Sequence, residues 1–199
     1  MKINEKDLVE QAKTNYQAFG TLYDKYYSPI YRYILHRVGD YNLACDLTSQ
    51  TFFKALKNLK KFQWRDIPFS SWLYRIAHNE IVGYFRKQKL RRFIPLNSFL
   101  PFLATPKDTN PEAQLLNSEK ANNLDKDFKR LHQAIRKLSL TEQSIITLRF
   151  FEKKKTKTIA QILNMPEGTV KSHIHRSLKK LKTLLKQNAT KKGGKRSKL

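Results

Sequence analysis

Residues 158 to 182, TIAQILNMPEGTVKSHIHRSLKKLK, hold the side chains best suited to chemistry with a nucleic acid. Ile159, Ala160 and Leu163 recur at helical spacing, a tight turn follows at Asn164 to Gly168, and Val170, Ile174, Leu178 and Leu181 form a second apolar stripe. Two short helices set at an angle by such a turn have helix-turn-helix geometry. The stripe leaves Thr169, Lys171, Ser172, His175 and Arg176 on the outward face near the start of the second helix, with Lys179, Lys180 and Lys182 continuing it. Those side chains donate to phosphates and to base edges in a major groove. A lone amphipathic helix with these residues would be an ordinary solvated basic face, but the preceding helix and turn have the lengths that DNA reading requires. His173 and His175 lack a third ligand nearby, so no metal site is expected.

The elements that must carry this motif and any others are helical. Tyr16, Phe19, Tyr23, Tyr26, Ile30, Tyr33, Ile34 and Val38 recur every three or four residues, with Pro29 expected to break or kink the helix. A second helix is predicted from about Leu43 to Leu59, burying Leu47, Thr51, Ala55 and Leu59 on one face. KKFQWRDIPF, residues 60 to 69, contains a proline and two aromatics that look exposed, and reads as a loop. Ser70 then caps a third helix carrying Leu73, Ile76, Ala77, Ile81 and Tyr84 up to the basic cluster RKQKLRR. From Phe93 to about Asn123, four prolines and frequent turn formers predict a linker. Helical periodicity resumes near Leu124 and again at Thr141-Glu142, and the last helix is predicted to end near Gln187. The tail, residues 188 to 199, has too little apolar surface to order itself. No run alternates as a strand would, so the fold class is all-α: two small helical domains, residues 10–92 and 124–187, joined by a flexible linker at 93–123.

Charge agrees with this division. Lys plus Arg number 40 against 16 Asp plus Glu, a formal charge of +24, which calls for a polyanionic partner. Residues 60 to 92 carry nine basic and two acidic side chains, residues 141 to 187 eleven and three, and the intervening residues 93 to 131 five of each. Two basic blocks flank a neutral segment, suggesting two separate nucleic-acid contacts. Cys45 is the only cysteine, which precludes an intrachain disulfide and fits a reducing cytoplasm. No stretch is long and apolar enough to span a bilayer, so a cytoplasmic protein without membrane insertion is expected. The closing Ser197-Lys198-Leu199 has the form of a peroxisomal address, but it ends a basic low-complexity tail and is read as coincidence.

Three blocks carry a more specific resemblance. LSLTEQSIITLRFFE together with TIAQILNMPEGTVKSHIHRSLKKL is similar to the promoter-reading carboxy-terminal domain of the bacterial sigma-70 family, whose P-x-G-T-V-K-S run leads the recognition helix. DLTSQTFFKAL and FSSWLYRIAHNEIVGYFRKQK resemble the polymerase-binding and melting helices of the same family. Nothing resembles the additional domains of housekeeping members, so the closest group is the extracytoplasmic-function sigma factors. The resemblance implies a non-enzymatic initiation factor without a cofactor, which binds core RNA polymerase and promoter DNA, with an anti-sigma factor as a further candidate partner. It implies that Asp46, Gln50 and Phe53 contact the clamp helices of the largest polymerase subunit and that the carboxy-terminal domain meets the flap of the second-largest. Phe62 and Asn79 match positions that hold a base flipped from the minus-ten element, for which an aromatic platform and a hydrogen-bonding edge are physically apt. Arg75, Arg86, Lys87 and Lys89 would track the separated strand, whereas Trp72, Leu73 and Ile76 are read as core. Thr169, Lys171, Ser172, His175, Arg176 and Lys179 would read the minus-thirty-five duplex. The loop departs from the commoner family form in its length and in carrying Trp64 and Pro68, which bears on which base the pocket prefers.

Rival readings explain less. A plain transcriptional regulator accounts for the helix-turn-helix but not for residues 46 to 89. A DNA-modifying enzyme needs a nucleophile or clustered metal-binding carboxylates, and the acids here are dispersed. A basic RNA-packaging protein predicts neither the turn nor the two domains.

Overall fold

The computed structural model describes residues 4–64, 67–91 and 130–193. Every regular element among the described residues is helical. The linker predicted at 93–123 lies outside them, as do the last residues of the tail.

A short helix that the periodicity did not announce opens the chain. In α1, Glu5–Ala12, the Asn4 side chain accepts from the Lys6 N–H, and Val9 and Ala12 are buried. Helix α2 spans Tyr16–Val38, with Asn15 accepting from the Gln17 N–H at 2.9 Å. Pro29 does not interrupt it. Proline removes one helical N–H, but Tyr26, Ile30 and Tyr33 on either side are buried, and this packing holds the turns together. Gly39, at φ 71°, closes α2 in the left-handed conformation that glycine adopts without strain, its N–H donating to Leu35 O at 2.8 Å.

Asp40 accepts from the Leu43 N–H at 2.8 Å and starts α3, Tyr41–Asn58. Leu47, Thr51, Ala55 and Leu59 are all buried, as their spacing requires, and Leu59–Lys61 adds a single 3₁₀ turn. Helix α4 spans Phe69–Arg91. Its start differs from expectation, because the Pro68 carbonyl accepts from the N–H groups of Ser71 and Trp72, which places Ser70 inside the first turn instead of at the cap. Leu73, Ala77 and Ile81 are fully buried, whereas Trp72 and Ile76 are half-buried. Each buried aliphatic side chain contributes roughly 1.5 to 3 kcal/mol, so these stripes suffice to hold α2, α3 and α4 together.

In the second half, residues 130–136 form α5 and Leu140–Ile146 form α6, extended by a π-helical turn at Thr147–Phe151. Ser139 and Glu142 make a capping box: Glu142 Oε2 accepts from the Ser139 N–H at 2.9 Å, and Ser139 Oγ accepts from the Glu142 N–H at 3.3 Å. Helix α7 is Thr156–Leu163, and Asn164 ends it at φ 53°. Helix α8 is Glu167–Gly193. It starts earlier than predicted, since Pro166 O accepts from the Val170 N–H and draws Glu167 and Gly168 into the first turn, and it runs on past Gln187.

By packing, the chain falls into two compact units, Met1–Leu96 with Ser144–Lys171, and Asn97–Gln143 with Ser172–Leu199. The first therefore combines α1 to α4 with the first helix of the helix-turn-helix, a grouping that local periodicity does not announce. Within the second, Lys180 pairs with Glu142 at 2.6 Å.

Candidate nucleic-acid and polymerase interfaces

Asp46, Gln50 and Phe53 stand four and three residues apart on α3, and all three are exposed. Phe53 is 68% exposed, large for an aromatic ring on a helix whose opposite face is core. Next to it, Lys54 pairs with Glu80 of α4 at 2.7 Å and so links the two helices. A flat helical face with one protruding aromatic flanked by polar side chains is suited to docking on a protein.

The aromatic box at the start of α4 is arranged otherwise than its sequence suggested. Phe62 was expected to be exposed and is 6% exposed. Its ring lies 4.8 Å from Trp72, 5.7 Å from Phe69 and 6.2 Å from Trp64, centroid to centroid, the last two edge to face. Rings that attract edge to face enclose one another in this way. Trp64 and Trp72, each half-buried, therefore supply the open aromatic surface. Asn79 is exposed two turns further along α4, and Arg86 and Lys87 are exposed beyond it. The side chain of Lys89 lies outside the described residues.

Arg75 is not presented to solvent in the same way. Its Nε–H donates to Ile162 O at 3.2 Å and a second guanidinium N–H donates to Gln161 O. Around it, the Tyr74 hydroxyl donates to Glu152 Oε2 at 2.9 Å, and Lys154 Nζ lies 4.6 Å from the centre of the Tyr74 ring. His78 Nδ1 is 3.1 Å from Ser144 Oγ. Burial, reinforced by the Arg37 charge, pushes the His78 imidazole down to about 4, so it is neutral. Burial raises the Glu152 carboxyl, against the lowering effect of Tyr74, Arg32 and Lys154. Sequence reasoning missed this polar cluster because its members are 66 to 87 residues apart in the chain.

The recognition helix follows its prediction more closely. Ile159 of α7 and Val170 of α8 are fully buried, as is Ile162, which the sequence reading passed over. Lys171, Ser172, His175, Arg176 and Lys179 are exposed and Thr169 is half-buried. The inward stripe of α8 is shifted slightly: Ser177 is fully buried and Leu181 nearly so, whereas Leu178 is 44% exposed. Consecutive residues are 100° apart on a helix, and the small Ser177 occupies the position that an apolar pattern would assign to its neighbour. Glu167 holds the start of the helix in place, accepting from Thr156 Oγ1 at 2.8 Å and pairing with Lys171 at 3.2 Å. Among the described residues, no group of three or more His, Cys, Asp or Glu could hold a metal ion, and no helix is long and apolar enough to cross a membrane.

Comparison with known proteins finds a family match in each half of the chain. The Sigma-70 region 2 family matches residues 22–91, and Sigma-70, region 4 matches residues 128–181. The ECF RNA polymerase sigma factor BldN of Streptomyces coelicolor is 34% identical over 185 residues, which cover 92% of this chain and 66% of BldN, just under two thirds of that protein's length. The RNA polymerase sigma factor YlaC of Bacillus subtilis is 31% identical over 170 residues, 85% of this chain and 91% of YlaC. Among solved structures, CnrH in complex with the cytosolic domain of CnrY shares the fold with a TM-score of 0.64, at 22% identity over 92% of this chain and 97% of that one. With region 2 and region 4 present in order on helical sequence, the chain belongs to the ECF RNA polymerase sigma factors of the sigma-70 family, which direct promoter-specific transcription initiation and are not enzymes.

Proposed function

We propose that the domain of residues 10–92 docks on core polymerase and opens the minus-ten element, while the domain of residues 124–187 reads the minus-thirty-five element as duplex, with 93–123 as the connection and 188–199 as a basic tail. Asp46, Gln50 and Phe53 form the contact with the clamp helices of the largest subunit, and the second domain meets the flap of the second-largest. In the first domain, Asn79 reads the edge of an unstacked base beside the aromatic box built on Phe62, and Arg75, Arg86 and Lys87 hold the strand through its phosphates. In the second, Thr169, Lys171, Ser172, His175, Arg176 and Lys179 reach the major groove from the first turns of α8. An anti-sigma factor is the further partner, as NepR is for the sigma factor RpoE of Bartonella quintana, which shares the fold.

The observation that carries this reading is the pairing, on each of two helices, of a packed apolar face with an exposed basic one: Arg86 and Lys87, with the amide of Asn79, on α4, and Lys171, Arg176 and Lys179 on α8. Melting would then be driven by capture of flipped bases, with no nucleotide hydrolysis. Run-off transcription from a genomic fragment library with purified core polymerase tests it. Discrete transcripts that require this protein are expected. Tight operator binding by the protein alone, with no stimulation of core, would favour the regulator reading.

A further inference from the structure

The loop joining α1 to α2 stands beside the end of α3 and leaves a cavity of about 340 Å³ between them. Buried Ala12 and Leu59 and half-buried Leu56 give it an apolar lining. Lys13 enters from the α1 side, Lys57 and Lys60 from the α3 side. Tyr16, the first residue of α2, completes the wall. It is 81% exposed, more than any other large hydrophobic side chain among the described residues.

The lining carries three ammonium groups and no carboxylate. Lys57 and Lys60 are exposed and form no ion pair among the described residues. Lys13 pairs with Glu10 at 2.7 Å, but a partly exposed pair three residues apart on one turn holds its lysine weakly and yields it to a more highly charged anion. Cations in the last turn of a helix also complement its dipole, which by itself would account for Lys57 and Lys60. It accounts neither for Lys13, which belongs to another element, nor for the bare ring of Tyr16 beside them.

We propose that this cavity binds a nucleotide, with its base stacked on Tyr16 and its phosphates held by Lys13, Lys57 and Lys60. Its volume lies at the lower end of the roughly 300 to 1,000 Å³ of small-molecule sites, room for one nucleotide and little more. An aromatic face accepts any base, because every base has a π-face, and ammonium groups meet phosphate as point charges without demanding one geometry. Three of them match a run of phosphates better than a single phosphodiester, which favours a free nucleoside polyphosphate. The other source of the same chemistry is a nucleotide of the separated strand, since Lys60 stands two residues before Phe62. Neither source uses the α4 residues assigned above, so the site goes beyond the proposed strand-binding face.

The test is titration calorimetry of the full chain with ATP, inorganic triphosphate and an oligothymidylate strand, in the parent and in variants at exposed positions that leave the core intact. Tyr16→Ala should weaken ATP roughly tenfold, Tyr16→Phe should keep the parent's affinity, and neither should move the binding of triphosphate, which has no base to stack. Lys57→Gln combined with Lys60→Gln should weaken ATP and triphosphate alike, several-fold. Lys182→Gln combined with Lys186→Gln, the same loss of charge at exposed positions on α8, should leave ATP binding as it was. If Tyr16→Ala weakens the oligothymidylate strand and not ATP, with Tyr16→Phe restoring it, the site stands and its occupant is a nucleotide of the strand. Equal weakening of ATP by the two lysine pairs would reduce the cavity to general attraction of anions and overturn the site, as would a Tyr16→Ala variant that binds both ATP and the strand as the parent does.

Discussion

The candidate DNA faces on α4 and α8 have the same kinds of side chains in different states. On α8, Lys171, His175, Arg176 and Lys179 already project to solvent from a helix fixed by buried Val170, Ser177 and Leu181. Beside α4, Phe62 is buried among three other rings, and on α4 Arg75 is bonded to the end of α7, although Asn79, Arg86 and Lys87 are exposed. A face that reads intact duplex can be built in advance, because its target exists before binding. One that holds an unstacked base has no target until the strands part, and in the meantime Phe62 and Arg75 have partners within the protein.

The largest effect that could break this comparison is on stability. Phe62→Ala removes a buried ring from a packed box and should cost about 3 to 5 kcal/mol, read as a lowered midpoint in thermal or urea unfolding. Asn79→Ala, at an exposed position, should stay within about 0.5 kcal/mol. If Phe62→Ala is as stable as the parent, the ring is not enclosed in solution, and the contrast between the faces weakens.

Acid should act selectively on the buried polar cluster beside α4. His78 is held at about 4, below the ordinary imidazole value of 6.5, so the unfolded chain binds more protons across this range. Stability from keeping His78 neutral is therefore fully present above pH 6.5 and is lost as pH falls toward 4, by about 3 kcal/mol in all. Thermal melts between pH 7 and pH 4 should show this slope, and His78→Gln should flatten it. Glu142 belongs to a different range: burial raises its carboxyl, but Lys180 and Ser139 outweigh that and hold it at about 2, so its contribution is present above pH 4.5 and fades only below it. Identical pH slopes for parent and His78→Gln would mean that the imidazole is not buried neutral.

Smaller effects sharpen the other side. Lys171→Ala or Arg176→Ala should cost roughly 1 to 3 kcal/mol of promoter binding and relax discrimination at one position if the side chain reads a base. Lys179→Ala should weaken all sequences alike and reduce the salt slope by about one. Equal, sequence-independent losses at all three would make α8 an electrostatic anchor only.

What the sequence disclosed follows the range of the forces involved. The inward stripe of α3 is a local pattern, and Leu47, Thr51, Ala55 and Leu59 are buried as their spacing demands. The turn before α8 is likewise written in Asn164 and Pro166, although Gly168 falls inside the helix. The burial of Phe62 depends on Trp72 and Phe69 folding over it, and the engagement of Arg75 depends on carbonyls more than 80 residues away, which no periodicity records. Capping competes too finely for composition to decide, so Pro68 and not Ser70 opens α4. The exposed character of Asp46, Gln50 and Phe53 was legible, but their role came from family resemblance, since an exposed helical face looks the same whatever it meets.

The claim that one face is ready and the other waits for strand separation is tested most directly by resolving initiation into closed-complex binding and open-complex formation. Promoter binding and permanganate reactivity of unpaired thymines would be followed for Arg176→Ala and Asn79→Ala, on paired DNA and on a template already mismatched across the minus-ten region. Arg176→Ala should weaken closed-complex binding on both templates, and Asn79→Ala should slow opening on paired DNA alone, with most of its defect relieved by the mismatch. Normal opening of paired DNA by Asn79→Ala, or an equal loss of closed-complex binding in both variants, would contradict the account.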